Sequence, residues 1–410
     1  MSRLSCLSCP SWRLGPRKVA RLLVFALLQL ALVLAVSEVA LRLLRPHNAS
    51  LRTLLYEPTT PARFQEIDSL PALLNQSPLG YRPYEEFAGF VLNSRSFRTK
   101  EYSTRKEPGS YRVLAMGDSF TFGSGGLPHP QHWPTLLEDG LSKRRDGRVE
   151  VLRLGVGATE TQFQLRLWQL EGASLEADAV VLGFFVGNDF IEAQGELARL
   201  FPHTFGDRVA SFCVTYRLAR NLLRLSRGTE GRSNFHSAPA APAAPDGRRG
   251  GYELVAYRDQ FDPELPTMTP DAYLRIESRR MSLTLVELEP QFRTLFDRVA
   301  GTLEALSAEV TGTGARFIVL IIPDEYQVDP AVRDAVLRAT RASPKDYDLD
   351  RPQRMLAEFL GERGIEFVDL LPAFRRKAPS GRLYRLRDSH WNADGNALAA
   401  QVLLDYWDEN

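Results

Sequence analysis

The stretch VLAMGDSFTFG, residues 113–123, is an apolar run that stops abruptly at Gly117-Asp118-Ser119. A short aliphatic run bounded by a turn signal reads as a buried strand. Such a strand either ends in an ordinary turn or delivers Ser119 to the mouth of a cleft. Counted from Arg112, this Arg112–Met116 run is the first of five; Val149–Leu154, Ala179–Phe185, Phe317–Ile322 and Ile365–Leu371 share its character. Apolar residues at helical spacing mark Trp133–Leu141 and Phe163–Leu170 between the first three runs, then Met281–Val310, Met355–Leu360 and Ala397–Trp407. Strands alternating with helices predict a parallel sheet covered on both faces.

The bulk numbers set the class. The chain has 410 residues, 44% hydrophobic and 25% charged, enough to bury a sizeable core. Its 51 basic and 50 acidic residues leave a net charge of +1, with no field that would draw nucleic acid. The three cysteines, Cys6, Cys9 and Cys213, form neither a disulfide framework nor a four-ligand metal site. Arg13, Arg17, Lys18 and Arg21 precede Leu22–Val36, an apolar run broken only by Gln29, and the apolar character continues to Leu44. A spanning helix needs about 20 residues, so an anchor over 22–44 includes Glu38 near its outer end. A cleaved signal peptide ending near Ala35-Val36-Ser37 is the shorter alternative. The basic residues before the run hold that end in the cytoplasm, which puts the large domain outside the cytoplasmic membrane as a single-pass protein.

The expected organisation is a basic leader at 1–21, a transmembrane signal-anchor at 22–44, a stalk and lead-in segment at 45–105, and one α/β domain at 106–410. Residues 189–280 interrupt the strand–helix alternation. Their low-complexity centre, SAPAAPAAPDGRRGG, is too poor in apolar residues to fold and reads as a flexible loop within an insertion.

A serine becomes a useful nucleophile when a base takes its proton and an acid orients the base. The chain has six histidines. His47 follows the anchor, and His203 and His236 lie in the insertion. His129 and His132 form a His-x-x-His in the loop after Ser119, read as surface histidines; the alternative is a metal-dependent hydrolase. His390, in RDSHWNADGN, stands two residues after Asp388 and just before a final helix starting near Asn392 or Ala393. A carboxylate and an imidazole on one short loop are placed to interact, leaving the other ring nitrogen for Ser119. Taken alone, the same residues also read as a helix cap with an adjacent histidine. An oxyanion hole would come from LGVGATETQ, where Gly157 offers an unencumbered N–H, and from FFVGNDF, where Asn188 follows the third strand. Each also reads as a turn former. Asp324 and Glu325 read as a solvated loop, with lining of the cleft as the alternative; Arg387 reads as a surface arginine, with contact to an anionic substrate as the alternative; Trp391 reads either as a sugar-facing wall or as packing beneath its loop.

The ordered set Gly117-Asp118-Ser119, Gly157, Gly187-Asn188-Asp189 and Asp388 with His390 resembles the SGNH hydrolases, also called the GDSL esterase/lipase superfamily. The blocks span most of the chain from about residue 80 onward. A Gly-x-Ser-x-Gly elbow is absent around Ser119, unlike the ordinary α/β-hydrolases. The resemblance implies a three-layer α/β/α sandwich with a five-stranded, mainly parallel, flavodoxin-like sheet. It implies Ser119 as nucleophile, His390 as base, Asp388 as the orienting acid, and an oxyanion hole of the Ser119 N–H, the Gly157 N–H and the Asn188 side chain. No cofactor or metal is implied. Most of the superfamily places the acid three residues before the histidine; here it is two, in Asp-Ser-His-Trp-Asn. That variant is similar to a loop of enzymes handling O-acetyl groups on bacterial exopolysaccharides, although there the loop precedes the serine. The expected substrate is a small ester or an O-acylated glycan, and the expected activity is an esterase working through an acyl-serine. The alternatives are an O-acyltransferase on the same site, or a non-catalytic carbohydrate-binding or assembly protein on the same fold.

Overall fold

The computed structural model describes residues 16–44, 67–77, 81–87, 89–123, 127–192, 213–226, 251–253 and 265–409. The start of the basic leader, His47, His203, His236 and the Pro/Ala-rich stretch through residue 250 lie outside the described residues.

A five-stranded sheet forms the centre. The short strands β1 (Glu86–Phe87) and β2 (Phe90–Val91) come first in the chain. They are followed by β3 (Tyr111–Gly117), β4 (Val149–Arg153), β5 (Ala179–Phe185), β6 (Tyr252–Glu253), β7 (Arg316–Ile322) and β8 (Glu366–Asp369). The large sheet has the order β4-β3-β5-β7-β8, and every neighbouring pair in it is parallel. This is the doubly wound order in which ligands bind at the carboxyl ends of the strands, where the winding reverses. Here the reversal falls between β3 and β5, and β3 leads directly into Ser119.

Nine helices of ten or more residues are found among the described residues: α1 (Pro16–Leu44), α2 (Trp133–Arg144), α3 (Thr161–Leu170), α4 (Val214–Ser226), α5 (Pro270–Met281), α6 (Glu289–Thr311), α7 (Pro330–Thr340), α8 (Arg351–Glu362) and α9 (Ala393–Glu409). Strand alternation splits the core into two layers. Leu114, Met116, Val180, Leu182, Val319 and Ile321 meet α3, α6 and α8 on one face. Val113, Ala115, Val181, Ile318, Leu320 and Ile322 meet α2 and α9 on the other. Strands buried on both faces explain the near-continuous aliphatic runs. Each large aliphatic side chain so buried stabilises the fold by about 1.5–3 kcal/mol before chain entropy is counted.

The five expected strands and the helices near them are found within a few residues of their expected ends. Two boundaries differ, both at prolines. Instead of one helix over Met281–Val310, α5 ends at Met281, two 3-10 turns follow, and α6 begins at Glu289 with Pro290 in its first turn. Proline has no N–H to donate, so it opens a helix and breaks one already running. The last strand stops at Asp369, because Pro372 opens the short helix Leu371–Lys377.

The lead-in segment is not a bare stalk. Leu73, Leu74, Tyr81, Leu92 and Phe97 are buried in the same core as the sheet. Strands β1, β2 and β6 form a small antiparallel sheet. Two-residue strands carry no readable periodicity, so this sheet left no mark in the pattern of the sequence. Helix α1 contains an apolar stretch, Val24–Leu44, of 21 residues with none of it buried, long enough to cross a bilayer.

Candidate active site

The end of β3 is built tightly. Gly117 has φ +141°, and a Cβ there would lie 2.5 Å from Thr121 Oγ1 and 2.7 Å from the Gly183 carbonyl. Gly117 and Gly183 face each other in register across β3 and β5. With two glycines opposed, the chain turns sharply and the one-turn helix Ser119–Phe122 folds back over the sheet edge. Asp118 caps that turn, its Oδ1 accepting from the Phe120 N–H at 2.9 Å. Asp118 is buried at 1% exposure, whereas Ser119 is half-buried. Burial pushes the Asp118 carboxyl up, against the Phe120 N–H, the His390 charge and a hydrogen bond from the Asn188 side chain.

The loop before α9 brings the other two groups. Arg387 and Ser389 both adopt left-handed backbone, φ +51° and +66°, on either side of Asp388. Such conformations cost about 1–3 kcal/mol each and persist only where the surroundings enforce them. The enforcement is visible. The Arg385 N–H donates to the His390 carbonyl at 2.8 Å, and the Asn392 N–H to the Leu383 carbonyl at 3.0 Å. Tyr384 and Trp391 pair as an antiparallel bridge. The Asn392 side chain accepts from the Gly395 N–H at 2.9 Å.

From this loop His390 Nδ1 lies 2.6 Å from Asp388 Oδ1, and its Nε2 lies 2.9 Å from Ser119 Oγ. A carboxylate is acceptor-only, so Nδ1 carries the proton, and the Nε2 lone pair faces the serine hydroxyl. Residues 271 apart in sequence thus meet in one hydrogen-bonded line. The far side of Asp388 is satisfied by Arg385 Nη1 at 2.5 Å and by the Thr267 hydroxyl. Burial opposes ionisation of Asp388, but His390, Arg385 and Thr267 outweigh it and hold the carboxyl at about 2.

The remaining expected residues, Gly157 and Asn188, have partners of their own. The Gly157 N–H donates to the Tyr81 hydroxyl at 2.8 Å, and the Gly157 carbonyl accepts from Ser77 Oγ at 2.9 Å. Both ends of the Gly157 residue are therefore held by the lead-in segment. The Asn188 side chain is engaged with Asp118. Arg385, Thr267, Ser77 and Tyr81 escaped the reading of the sequence. Thr267 and Tyr81 stand in stretches without periodicity, and no local pattern points to them.

Neighbouring residues differ from their expected surroundings at His132, Asp324, Glu325 and Arg387, and Trp391 takes one of its two expected places. His132 is fully buried, not on the surface, with its Nδ1 3.0 Å from Arg153 Nη1. Burial and the nearby Arg98 and Arg153 push both His129 and His132 far down. Two guanidinium groups beside these rings disfavour a metal cation there. Asp324 and Glu325 are buried at 0% and 3% exposure, not solvated. Burial and Glu277 raise both carboxyls well above the usual range. A Cβ on Gly187 would strike Asp324 Oδ2 at 2.1 Å, so a glycine is needed where the Asn188 loop passes this cluster. Trp391 is 2% exposed and packs against Phe120 and Phe374 with ring centroids 4.9 and 5.2 Å away, under the loop rather than along the cleft. Arg387, expected at the surface, is half-buried.

Comparison with known proteins bears on this arrangement. Residues 287–408, which hold Asp388 and His390, match the family model described as "SGNH hydrolase-like domain, acetyltransferase AlgX". No protein of curated function matches the sequence. Among solved structures, similarity extends to a catalytic mutant of the acetylxylan esterase Axe2 from Geobacillus stearothermophilus, at 13% identity, 73% of this chain, 95% of that chain and a TM-score of 0.37. It extends also to a member of the lipolytic protein G-D-S-L family from Veillonella parvula, at 11% identity, 73% of this chain, 100% of that chain and a TM-score of 0.36.

Proposed function

We propose, from the SGNH hydrolase-like domain that this chain carries, a serine esterase acting on O-acyl bonds through a covalent acyl-serine, with its cleft outside the cytoplasmic membrane. The observation that carries the reading is the hydrogen-bonded line Ser119–His390–Asp388. His390 Nε2 takes the Ser119 proton as Oγ attacks the ester carbonyl. The imidazolium that forms is stabilised by the Asp388 carboxylate, which Arg385 and Thr267 keep ionised. Asp388 orients and does not itself take the proton. The oxyanion forms against the Ser119 N–H, with the Gly157 N–H and the Asn188 amide beside it. The last two exchange their internal partners, Tyr81 and Asp118, for the developing charge. A good donor of this kind is worth on the order of 3 kcal/mol. His390 then protonates the leaving alcohol, and water deacylates the serine by the reverse route.

The family match over the segment that holds Asp388 and His390 favours a second acceptor for the acyl group, a sugar hydroxyl in place of water. Both reactions share the acyl-serine and divide only at its release. The basic flank and apolar length of α1 support a single-pass anchor with the domain on the outer side.

The test uses the full chain in detergent. A fluorophosphonate probe should label the protein at Ser119, and Ser119→Ala should abolish both labelling and release of acetate from a chromogenic ester. A chain that is folded yet inert to the probe would overturn the proposal. Adding an acylatable glycan then separates the two releases: acetate in solution means hydrolysis, and label on the glycan means transfer.

A further inference from the structure

Helix α4, Val214–Ser226, joins the anchor. The Glu38 carboxylate on α1 accepts from the Val214 N–H at 3.0 Å, the Thr215 N–H at 2.9 Å and the Thr215 hydroxyl at 3.1 Å. One turn onward, Arg42 donates to the same carboxylate at 2.9 and 2.7 Å. A carboxylate within an apolar spanning stretch is costly unless satisfied. Here the first turn of α4 satisfies it, so the expense of Glu38 is accounted for by a contact between anchor and insertion.

The composition of α4 suits a bilayer surface. Its sequence, VTYRLARNLLRLS, holds three arginines and no acid. Arg217, Arg220 and Arg224 recur at three- and four-residue spacing and fall in one row of the helix. Val214, Leu218, Leu222 and Leu225 fall in another. Tyr216, Leu222 and Leu223 are 39%, 48% and 50% exposed, so apolar surface remains beyond what α1 covers. Depth agrees as well. Glu38 lies six residues before the end of α1 at Leu44, which is about 9 Å at the helical rise of ~1.5 Å per residue. An interfacial helix sinks its apolar face about 5–10 Å into the boundary between headgroups and acyl chains.

We propose that α4 is an interfacial helix lying on the bilayer that α1 spans, with its leucine row at the acyl chains and its arginine row at the lipid phosphates. The chain then meets the membrane through two elements, α1 and α4, joined at Glu38. This rests on the membrane-spanning reading of α1. The test separates the two. The full chain, with Cys6, Cys9 and Cys213 changed to serine, is placed in nanodiscs of phosphatidylethanolamine and phosphatidylglycerol. Nitroxide labels are introduced singly by Leu222→Cys, by Leu30→Cys within the span, and by Val286→Cys as an aqueous reference. Fluorophosphonate labelling checks the folding of each. Collision with oxygen relative to a water-soluble nickel chelate should be several-fold higher at positions 222 and 30 than at 286. Changing Arg217, Arg220 and Arg224 to glutamate should return position 222 to the aqueous value and leave 30 unchanged. Position 30 in lipid with 222 in water would overturn the proposal and leave the anchor standing. Both in water would overturn the anchor and this proposal with it. Position 222 remaining in lipid after charge reversal would overturn recognition of the phosphates.

Discussion

Asp388 shows how much one residue can depend on distant ones. Its partners are His390, Arg385 and Thr267, and Thr267 stands 121 residues away. Asp388→Asn keeps the shape but offers Nδ1 no carboxylate, which favours the wrong tautomer of His390; kcat should fall by about 10³–10⁴, measured on a chromogenic ester. The same residue governs acid stability. Its carboxyl is held at about 2, below its ordinary value of 3.8. A depressed carboxyl stabilises the fold above its unfolded value and loses that contribution as pH falls through the folded one. The contribution is on the order of 2 kcal/mol. Urea unfolding of the wild type should therefore weaken between pH 4 and pH 2 by that much more than unfolding of Asp388→Asn. Tyr81 occupies the Gly157 N–H in the resting site. Tyr81→Phe keeps the ring in the core and removes the partner which that N–H gives up to the oxyanion, a hydrogen bond worth about 1 kcal/mol, so kcat should rise by up to about fivefold. A fall in kcat would show that Tyr81 positions the Gly157 N–H and does not compete for it.

At the scale of elements, the site depends on two strands approaching closely at their carboxyl ends. Gly117 and Gly183 leave room there for Thr121, whose hydroxyl donates to the Met116 carbonyl at 3.1 Å. Gly117→Ala adds a methyl against backbone at 2.7 Å in a left-handed conformation. The expected cost is about 2–4 kcal/mol, read as a lower urea midpoint with the slope unchanged. The strands were legible as aliphatic runs ended by turn residues, and most helices by their period of 3.6. Gly117-Asp118-Ser119 was legible for the same reason: an aliphatic run ends there on residues that turn. Strands β1, β2 and β6 were not legible, since two residues make no period. The burial of Asp324, Glu325 and His132 was hidden too. A polar residue in a loop carries no local sign of what will pack over it.

At the scale of the whole molecule, the lead-in segment and the sheet share one core through Leu73, Tyr81, Leu92 and Phe97. The expected boundary at 106 would cut that core. We propose that the folding unit begins near residue 67. A chain of residues 67–410 should unfold cooperatively and take the fluorophosphonate label, whereas 106–410 should aggregate or fail to label; equal behaviour of the two would refute the earlier boundary. The sequence by itself determined the parallel α/β sandwich, the apolar N-terminal stretch, and the residue types available for nucleophile, base and acid, because hydrophobic pattern and turn chemistry are local properties. Only the tertiary structure decided that Ser119 and His390 stand 2.9 Å apart, that Arg385 and Thr267 sustain the charge on Asp388, and that Tyr81 and Asp118 already hold the groups expected to bind an oxyanion. Those are distances between segments far apart in the chain, fixed by the packing of both faces of the sheet, and no local pattern encodes them.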